Sequence, residues 1–150
     1  AREFISQYDL PESSYIMREA PHDEVGSLIG LADAGLLLRK DHPVNRVSSP
    51  TKFGEYMAAG VPVIATKNIG DFSQIIEEDN LGLVLPLDSE KIPPPSLESI
   101  LRFMDDVCAN RAAWSERCSQ YARTRLDWEV YGGRLQAAYS RLLEPGQGAA

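Results

Sequence analysis

The sequence is poor in cysteine and histidine, with two of each among its 150 residues. Cys108 and Cys118 belong to no Cys-x-x-Cys pair, and His22 and His42 lie far apart, so a zinc site is not expected. Both cysteines fall on apolar faces of predicted helices, which indicates reduced thiols in the protein core. We expect both histidines in loops or at helix ends.

Basic residues and long apolar runs are also scarce. Lysine and arginine number 15 against 22 acidic residues, a formal net charge of −7. A phosphate backbone requires a basic face, so no nucleic-acid partner is expected, although a few placed donors could still hold a small anion. No run approaches the roughly 18 apolar residues of a membrane span. The hydrophobic share of 43% suits a globular domain with a core.

The first part of the chain, 1–92, alternates strand and helix patterns. Strands are predicted over 14–20, 34–40, 61–66 and 82–87, and helices over 22–32, 50–59 and 72–78. This alternation predicts an α/β fold, a parallel sheet with helices on both faces. In such sheets ligands gather outside the carboxyl ends of the strands.

The second part, 93–143, is predicted to be helical. Three prolines at 93–95 end the alternating region, and Ser96 is suited to cap a first helix. Two further helices follow, one around Trp114 and one from about Trp128 to Leu142. Their aromatic residues could form a sugar-stacking platform, but the helical spacing favours core packing. Residues 144–150 are expected to be a frayed end.

The segment SSPTKFGEYMAAGVPVIAT, residues 48–66, holds an unusual helix start. Ser49 can cap the helix and Pro50 suits its first position, which leaves the amides of Thr51, Lys52 and Phe53 as a site for an anion. Lysine is disfavoured there by the helix dipole, at a cost of about 0.3–1 kcal/mol. A phosphate bound jointly by Lys52 and the amides would offset that cost.

Glu55 lies three residues after Lys52, on roughly the same helical face. A carboxylate there could accept two hydrogen bonds from a ribose diol, so the pair fits a nucleoside diphosphate. The alternative is a solvated ion pair between Lys52 and Glu55, worth about 0.2–0.5 kcal/mol. The spacing alone leaves both interpretations open.

The same segment resembles the donor-binding motif of glycosyltransferase family 4 (group 1), in which K-x-x-E-x-x-A-x-G-x-P-V-I binds a sugar nucleotide. LADAGLLL, TKNIGDFSQIIEEDNLGLVLP and DWEVYGGRLQAAYSRLL are similar to other segments of that family, in the same order, so the resemblance spans about residues 14–143. It implies a Rossmann-like sheet flanked by helices, as in the C-terminal donor half of a two-domain (GT-B type) enzyme, followed by a helical tail.

The resemblance also implies site residues. Lys52 would lie at the donor diphosphate and Glu55 at the ribose, as the catalytic residues, and the end of the first strand near Arg18 would flank the base. The implied donor-binding residues are Arg18, Arg46, Ser48, Ser49, Pro50, Thr51, Lys52, Phe53, Glu55, Gly70 and Asp71. The implied reaction is retaining and needs neither a metal nor a cofactor besides the donor, whose base stays open.

The chain departs from the family pattern in three ways. The position of the family's first glutamate is Val47 here, so Arg46 or Ser48 would take over its sugar contacts. The family's upstream basic loop and N-terminal acceptor domain have no counterpart, so 1–150 is interpreted as a partial donor domain, inactive alone.

The resemblance implies a nucleotide-sugar donor and, through the other domain, a sugar or lipid-linked acceptor in polysaccharide biosynthesis. A cytoplasmic location is expected, with membrane-peripheral association left open for the full-length enzyme. Two alternatives also stay open: a non-catalytic binding or regulatory module, and a sugar-nucleotide epimerase of the same architecture.

Overall fold

The computed structural model describes Tyr8 and residues 10–87 and 91–143 of the chain. After a single 3-10 turn at Glu12–Ser14, the first part contains α1 (His22–Ile29), β1 (Gly35–Leu37), α2 (Pro43–Arg46), α3 (Thr51–Ala58), β2 (Val63–Thr66), α4 (Phe72–Glu78) and β3 (Gly82–Leu85). The second part contains α5 (Ser96–Ala109), α6 (Arg111–Tyr121), a π-helical turn (Ala122–Leu126) and α7 (Trp128–Leu143). The predicted tail at 144–150 lies outside the described residues.

The three strands form one parallel sheet in the order β1-β2-β3. Gly35 pairs with Val63, and Val63 pairs in turn with Gly82. β2 is buried along its whole length, because it has a strand on each side and helices packed around it. The predicted α/β class, a parallel sheet flanked by helices with a helical end, is therefore confirmed.

Glycines at the strand starts allow close packing. A Cβ on Gly82 would lie 1.9 Å from the carbonyl oxygen of Val63, and a Cβ on Gly35 would lie 2.7 Å from the ring of Tyr56. Neither position has space for a side chain. The two glycines thus bring β3 against β2 and the ring of Tyr56 against β1.

The core lies between the sheet and α3. Phe53 and Met57 of α3 are fully buried, and the Phe53 ring lies 4.7 Å from the ring of Phe72 and 5.9 Å from that of Tyr121. These contacts join α3 to α4 and α6. One face of α3 is thereby fixed, and its opposite face, with Lys52 and Glu55, is left to solvent.

The predicted strand over 14–20 is wrong. Residues 15–20 have no regular structure, and Ile16 is 91% exposed. A strand is stable only when a neighbouring strand satisfies its backbone groups. Within the described part of the chain, β1 pairs with β2 alone, so the 14–20 segment has no partner strand in the sheet.

Other helices and side chains also differ from expectation. The segment 41–49, for which neither a strand nor a helix was predicted, contains α2, whose Val44 amide donates to His42 Nδ1 at 3.3 Å. Ser96 is the first residue of α5 rather than its cap, a position that Pro95 takes. Cys118 is buried as predicted, but Cys108 is exposed because it lies on the outer side of α5. The histidines do lie at helix ends, as predicted.

Candidate functional site

The first turn of α3 differs in detail from the predicted anion site. Pro50 occupies the N-cap position and α3 begins at Thr51, so Ser49 lies outside the helix and does not cap it. The Phe53 amide donates to Pro50 O at 3.1 Å and is therefore not free for an anion. The amides of Thr51 and Lys52 have no hydrogen-bond acceptor among the described residues. Two backbone donors rather than three are left at the positive end of the helix.

Lys52 and Glu55 form an ion pair on the exposed face of α3. Lys52 Nζ lies 3.6 Å from Glu55 Oε2, and the two side chains are 63% and 42% exposed. The solvated pair that the spacing allowed is thus present. An exposed pair of this kind contributes about 0.2–0.5 kcal/mol, so a ligand with a phosphate and a diol could separate it at little cost.

Glu55 also borders a cavity between α1 and α3, which we call the α1–α3 cavity. It measures about 460 Å³ and is lined by His22, Asp23, Val25, Gly26, Ile29, Glu55, Ala58 and Ala59. Its walls are formed by small and aliphatic side chains, with two acids and a histidine as its ionisable groups. This volume falls in the range of small-molecule sites.

The loop that follows β1 is held by an ion pair. Arg46 donates to both oxygens of Asp41, at 2.6 and 2.8 Å, and Asn68 Nδ2 donates to Asp41 Oδ2 at 3.0 Å. The bidentate contact with the Arg46 guanidinium lowers the pKa of Asp41, and the same contact raises that of Arg46. Arg46, which was predicted to contact the donor sugar, is therefore hydrogen-bonded to the Asp41 carboxylate instead.

Ser48 and Gly70 meet at the same edge of the sheet. Ser48 Oγ and the Gly70 amide both donate to Asn45 O, at 2.9 and 3.0 Å. Gly70 has a φ of +48°, and a Cβ there would lie 2.5 Å from Ser48 O. The loop after β1 and the loop after β2 are thus joined beside the start of α3.

The remaining predicted residues are more scattered. Asp71 is the N-cap residue of α4, but its side chain makes no capping bond. Arg18 pairs with Glu24 of α1 at 3.2 Å, in solvent. Val47, at the position of the family's first glutamate, is 86% exposed and has no polar group to offer a sugar. The structure therefore groups Arg46, Ser48 and Gly70, and places Arg18 by α1.

A second cavity, the aromatic cavity, lies on another side of α3. It measures about 450 Å³ and is lined by Ser49, Pro50, Thr51, Phe53, Gly54, Phe72, Leu126, Trp128 and Tyr131. The predicted phosphate turn borders this cavity, whereas Glu55 borders the α1–α3 cavity. Ser49, Pro50 and Thr51 thus line one of the two cavities, and Glu55 lines the other.

Sequence reasoning missed Asp41, Asn45 and Asn68. All three follow a strand at its carboxyl end, so the rule that ligands gather at that edge could have drawn attention to them. His22 and Asp23 were missed as cavity residues because their contact with α3 depends on helix packing. In the described part of the chain, no group of three or more His, Cys, Asp or Glu residues is arranged to hold a metal ion.

The parallel sheet flanked by helices is a Rossmann-like α/β fold, and in folds of this class small ligands generally bind outside the carboxyl ends of the strands. No protein-family model matches the chain, and no curated protein does. A solved structure does match: the crystal structure of WaaG, a glycosyltransferase involved in lipopolysaccharide biosynthesis, with a TM-score of 0.58 and 26% identity.

The match covers 97% of this chain but 36% of the WaaG chain, so this chain spans about a third of the length of that protein. The likeness to a GT-B glycosyltransferase, first seen in the motif at 48–66, is confirmed by it. The chain has a glycosyltransferase-type fold. Among the described residues, no helix has both the length and the apolar character needed to cross a bilayer.

Proposed function

We propose that the chain binds the nucleotide-sugar donor of a glycosyltransferase. The observation that carries the proposal is the arrangement on α3, where Lys52 and Glu55 share an exposed face next to two amides that have no acceptor among the described residues. The donor diphosphate takes the place of Glu55 as the partner of Lys52, and the ribose diol donates to Glu55. The solvated ion pair is weak enough for this exchange.

In the proposed reaction the bond between the sugar C1 and the diphosphate oxygen breaks, and the diphosphate leaves with the electron pair. The acceptor hydroxyl oxygen forms the new bond to C1, and its proton passes to the departing diphosphate oxygen. Lys52 and the amides of Thr51 and Lys52 stabilise the charge that develops on the leaving group. The proposed transfer is retaining and independent of a metal, and it requires a further, acceptor-binding domain.

Calorimetric titration of the 150-residue chain with UDP, GDP, ADP and CMP tests the donor site. One nucleotide should bind, and Lys52→Ala and Glu55→Ala should each weaken it about tenfold or more, the loss expected for a hydrogen-bonded charge. Arg102 and Glu98 form a comparable exposed pair at 3.2 Å on α5, so Arg102→Ala and Glu98→Ala are matched controls.

Equal weakening in the control variants would contradict the proposal, because it would show a general effect of surface charge. Binding of no nucleotide by the folded chain would favour the alternative of a non-catalytic binding or regulatory module.

The epimerase alternative gains one observation from the α1–α3 cavity. An epimerase needs acids and a histidine near the sugar, and His22, Asp23 and Glu55 border this one cavity. Incubation of the chain with a nucleotide sugar in D₂O, followed by NMR, would detect deuterium entering the sugar ring. Deuterium incorporation that is lost in His22→Ala would replace the transferase proposal with the epimerase.

A further inference from the structure

The first turn of α7 brings two aromatic side chains to the start of α3. Trp128 and Tyr131 are 86% and 48% exposed, and both line the aromatic cavity together with residues 49–51. Core packing was predicted for these two residues and for Tyr139, and that prediction is wrong, because α7 has no buried residue. The two rings are therefore available to a ligand in the cavity.

The aromatic cavity combines apolar walls with hydroxyl groups. The rings of Phe72 and Trp128 form part of its lining, and its volume of about 450 Å³ falls in the range of small-molecule sites. The hydroxyl groups of Ser49 and Thr51 have no hydrogen-bond partner among the described residues. A pyranose ring suits such a site, because its faces carry C–H groups that pack against aromatic rings and its edge carries hydroxyl groups.

The covalent order of a nucleotide sugar fits the order of the two cavities around α3. The proposed function assigns the ribose to Glu55, which lines the α1–α3 cavity, and the diphosphate to Lys52 and the amides at the start of α3. The diphosphate joins the ribose to the sugar, so the sugar extends from the diphosphate away from the ribose. Thr51 carries one of those amides and also lines the aromatic cavity. The aromatic cavity is therefore the one that the sugar can reach.

The loop after β1 offers a sugar fewer free polar groups. Arg46 is hydrogen-bonded to Asp41, and Ser48 Oγ donates to Asn45 O. Val47 is exposed and its side chain is apolar. The sugar contacts that were predicted in this loop are thus weakly supported by the geometry, in contrast to those in the aromatic cavity.

We propose that the aromatic cavity binds the sugar ring of the nucleotide-sugar donor, with the Trp128 indole against one face of the ring and the hydroxyl groups of Ser49 and Thr51 at its edge. This inference rests on the proposed function and deepens it, because it assigns the sugar to a part of the chain outside the sheet. The first part of the chain then binds the nucleotide, and the start of α7 selects the sugar.

The affinity of a nucleotide sugar relative to its nucleoside diphosphate tests the inference. The 150-residue chain is titrated by calorimetry with three pairs of ligands: UDP-glucose and UDP, GDP-mannose and GDP, and ADP-glucose and ADP. In one pair the nucleotide sugar should bind about tenfold more tightly than the diphosphate, the gain expected from one aromatic contact. Trp128→Ala should abolish this difference and leave the affinity for the diphosphate unchanged. Trp128→Phe keeps an aromatic face and should retain most of the difference.

Tyr139 supplies a matched control, because it is an exposed aromatic residue of α7 that does not line the cavity. Tyr139→Ala should leave both affinities unchanged, and Lys52→Ala should weaken the nucleotide sugar and the diphosphate by the same factor. A second readout is the nuclear Overhauser effect. Protons of the bound sugar ring should show contacts with the indole of Trp128 and none with that of Trp114, which is buried.

The outcomes separate this inference from the donor proposal. A diphosphate that binds as tightly as its nucleotide sugar would overturn the inference and leave the donor site in place, whereas binding of no diphosphate would contradict both. Equal losses for the two ligands in Trp128→Ala would mean that Trp128 supports the start of α3 and does not contact the sugar. Methyl glucoside that binds through Trp128 to a chain saturated with nucleotide sugar would place an acceptor sugar in the cavity, which also overturns the inference.

Discussion

Thr66 Oγ1 accepts a hydrogen bond from the Arg39 amide at 2.9 Å and donates one to Arg39 O at 2.7 Å. Thr66 is buried at the carboxyl end of β2, and Arg39 is the second residue after β1. One hydroxyl therefore satisfies both backbone groups of a residue that has left the sheet. It fixes the direction in which the loop towards Asp41 and Arg46 departs.

Thr66→Val should destabilise the protein by about 1–3 kcal/mol, because valine has nearly the same shape but leaves the amide and carbonyl of Arg39 unpaired. Urea denaturation followed by circular dichroism measures the change. Thr66→Ser keeps the hydroxyl and is the control, with a smaller loss from the missing methyl group. Equal losses in both variants would show that the methyl packing, rather than the hydrogen bonds, makes the contribution.

Two glycines should respond to alanine with opposite signs. Gly60 has a φ of +72°, and a Cβ there would lie 2.4 Å from Ser115 Oγ, so Gly60→Ala should destabilise by about 1–2 kcal/mol or more. Gly132 lies inside α7 with nothing within 4 Å of its Cβ position, so Gly132→Ala should stabilise α7 by about 0.5–1 kcal/mol. Thermal unfolding checks the first effect and helicity of α7 by NMR the second. If Gly60→Ala unfolded at the same temperature as the parent chain, the positive φ of Gly60 and its close approach to Ser115 would be contradicted.

The two cysteines should differ in reactivity. Burial raises the pKa of the Cys118 thiol to about 11, whereas Cys108 is exposed. At pH 8, a thiol reagent such as DTNB should label one cysteine in the native protein and both in denaturant, because the thiolate is the reactive form. Cys108→Ser should abolish native labelling. Rapid labelling of native Cys108→Ser would mean that α6 opens readily.

The raised pKa of Cys118 also predicts the direction of a pH effect on stability. Above the thiol's usual pKa of 9.0 the unfolded chain loses this proton while the folded chain keeps it. The unfolded state then binds fewer protons, so the contribution of Cys118 to the free energy of unfolding falls as pH rises from about 9 to about 11. Cys118→Ala should remove this fall.

Local patterns predicted most of the fold because they are properties of the segments themselves. The spacing of apolar residues along a helix depends only on residues that are close in sequence. The three helices predicted in the first part of the chain are accordingly observed near their predicted bounds, as α1, α3 and α4. The 14–20 segment has an equally suitable composition for a strand. It fails because strand formation depends on a partner, which composition does not encode.

Only the part of the candidate site that lies on α3 could be predicted from the sequence. Lys52 and Glu55 are linked by helical spacing, so their proximity followed from sequence. The contact of Asp41 with Asn68 joins two loops far apart in sequence, and only the sheet brings them together. The helical spacing predicted core packing for Trp128, and that prediction is wrong, because Trp128 is 86% exposed. Apolar residues along one face of a helix have the same spacing whether or not another surface covers that face.

The Asp41–Arg46 pair supplies the last prediction, which concerns acid pH. The pKa of Asp41 is lowered from 3.8, chiefly by the hydrogen bonds from Arg46. A carboxylate with a lowered folded-state pKa stabilises the fold above its unfolded pKa, and that contribution is lost as pH falls through the folded pKa. The pair should therefore persist as pH falls to 3.8, the usual pKa of the carboxyl group, and separate only below it.

An NMR titration of the Asp41 carboxyl carbon measures this pKa directly. Arg46→Gln should raise the pKa of Asp41 towards 3.8, because the largest cause of the shift is removed. Asn68→Ala should raise it less, since the hydrogen bond from Asn68 is a smaller cause of the shift. A larger effect from Asn68→Ala than from Arg46→Gln would mean that Asn68, from the loop after β2, is what holds Asp41 in place.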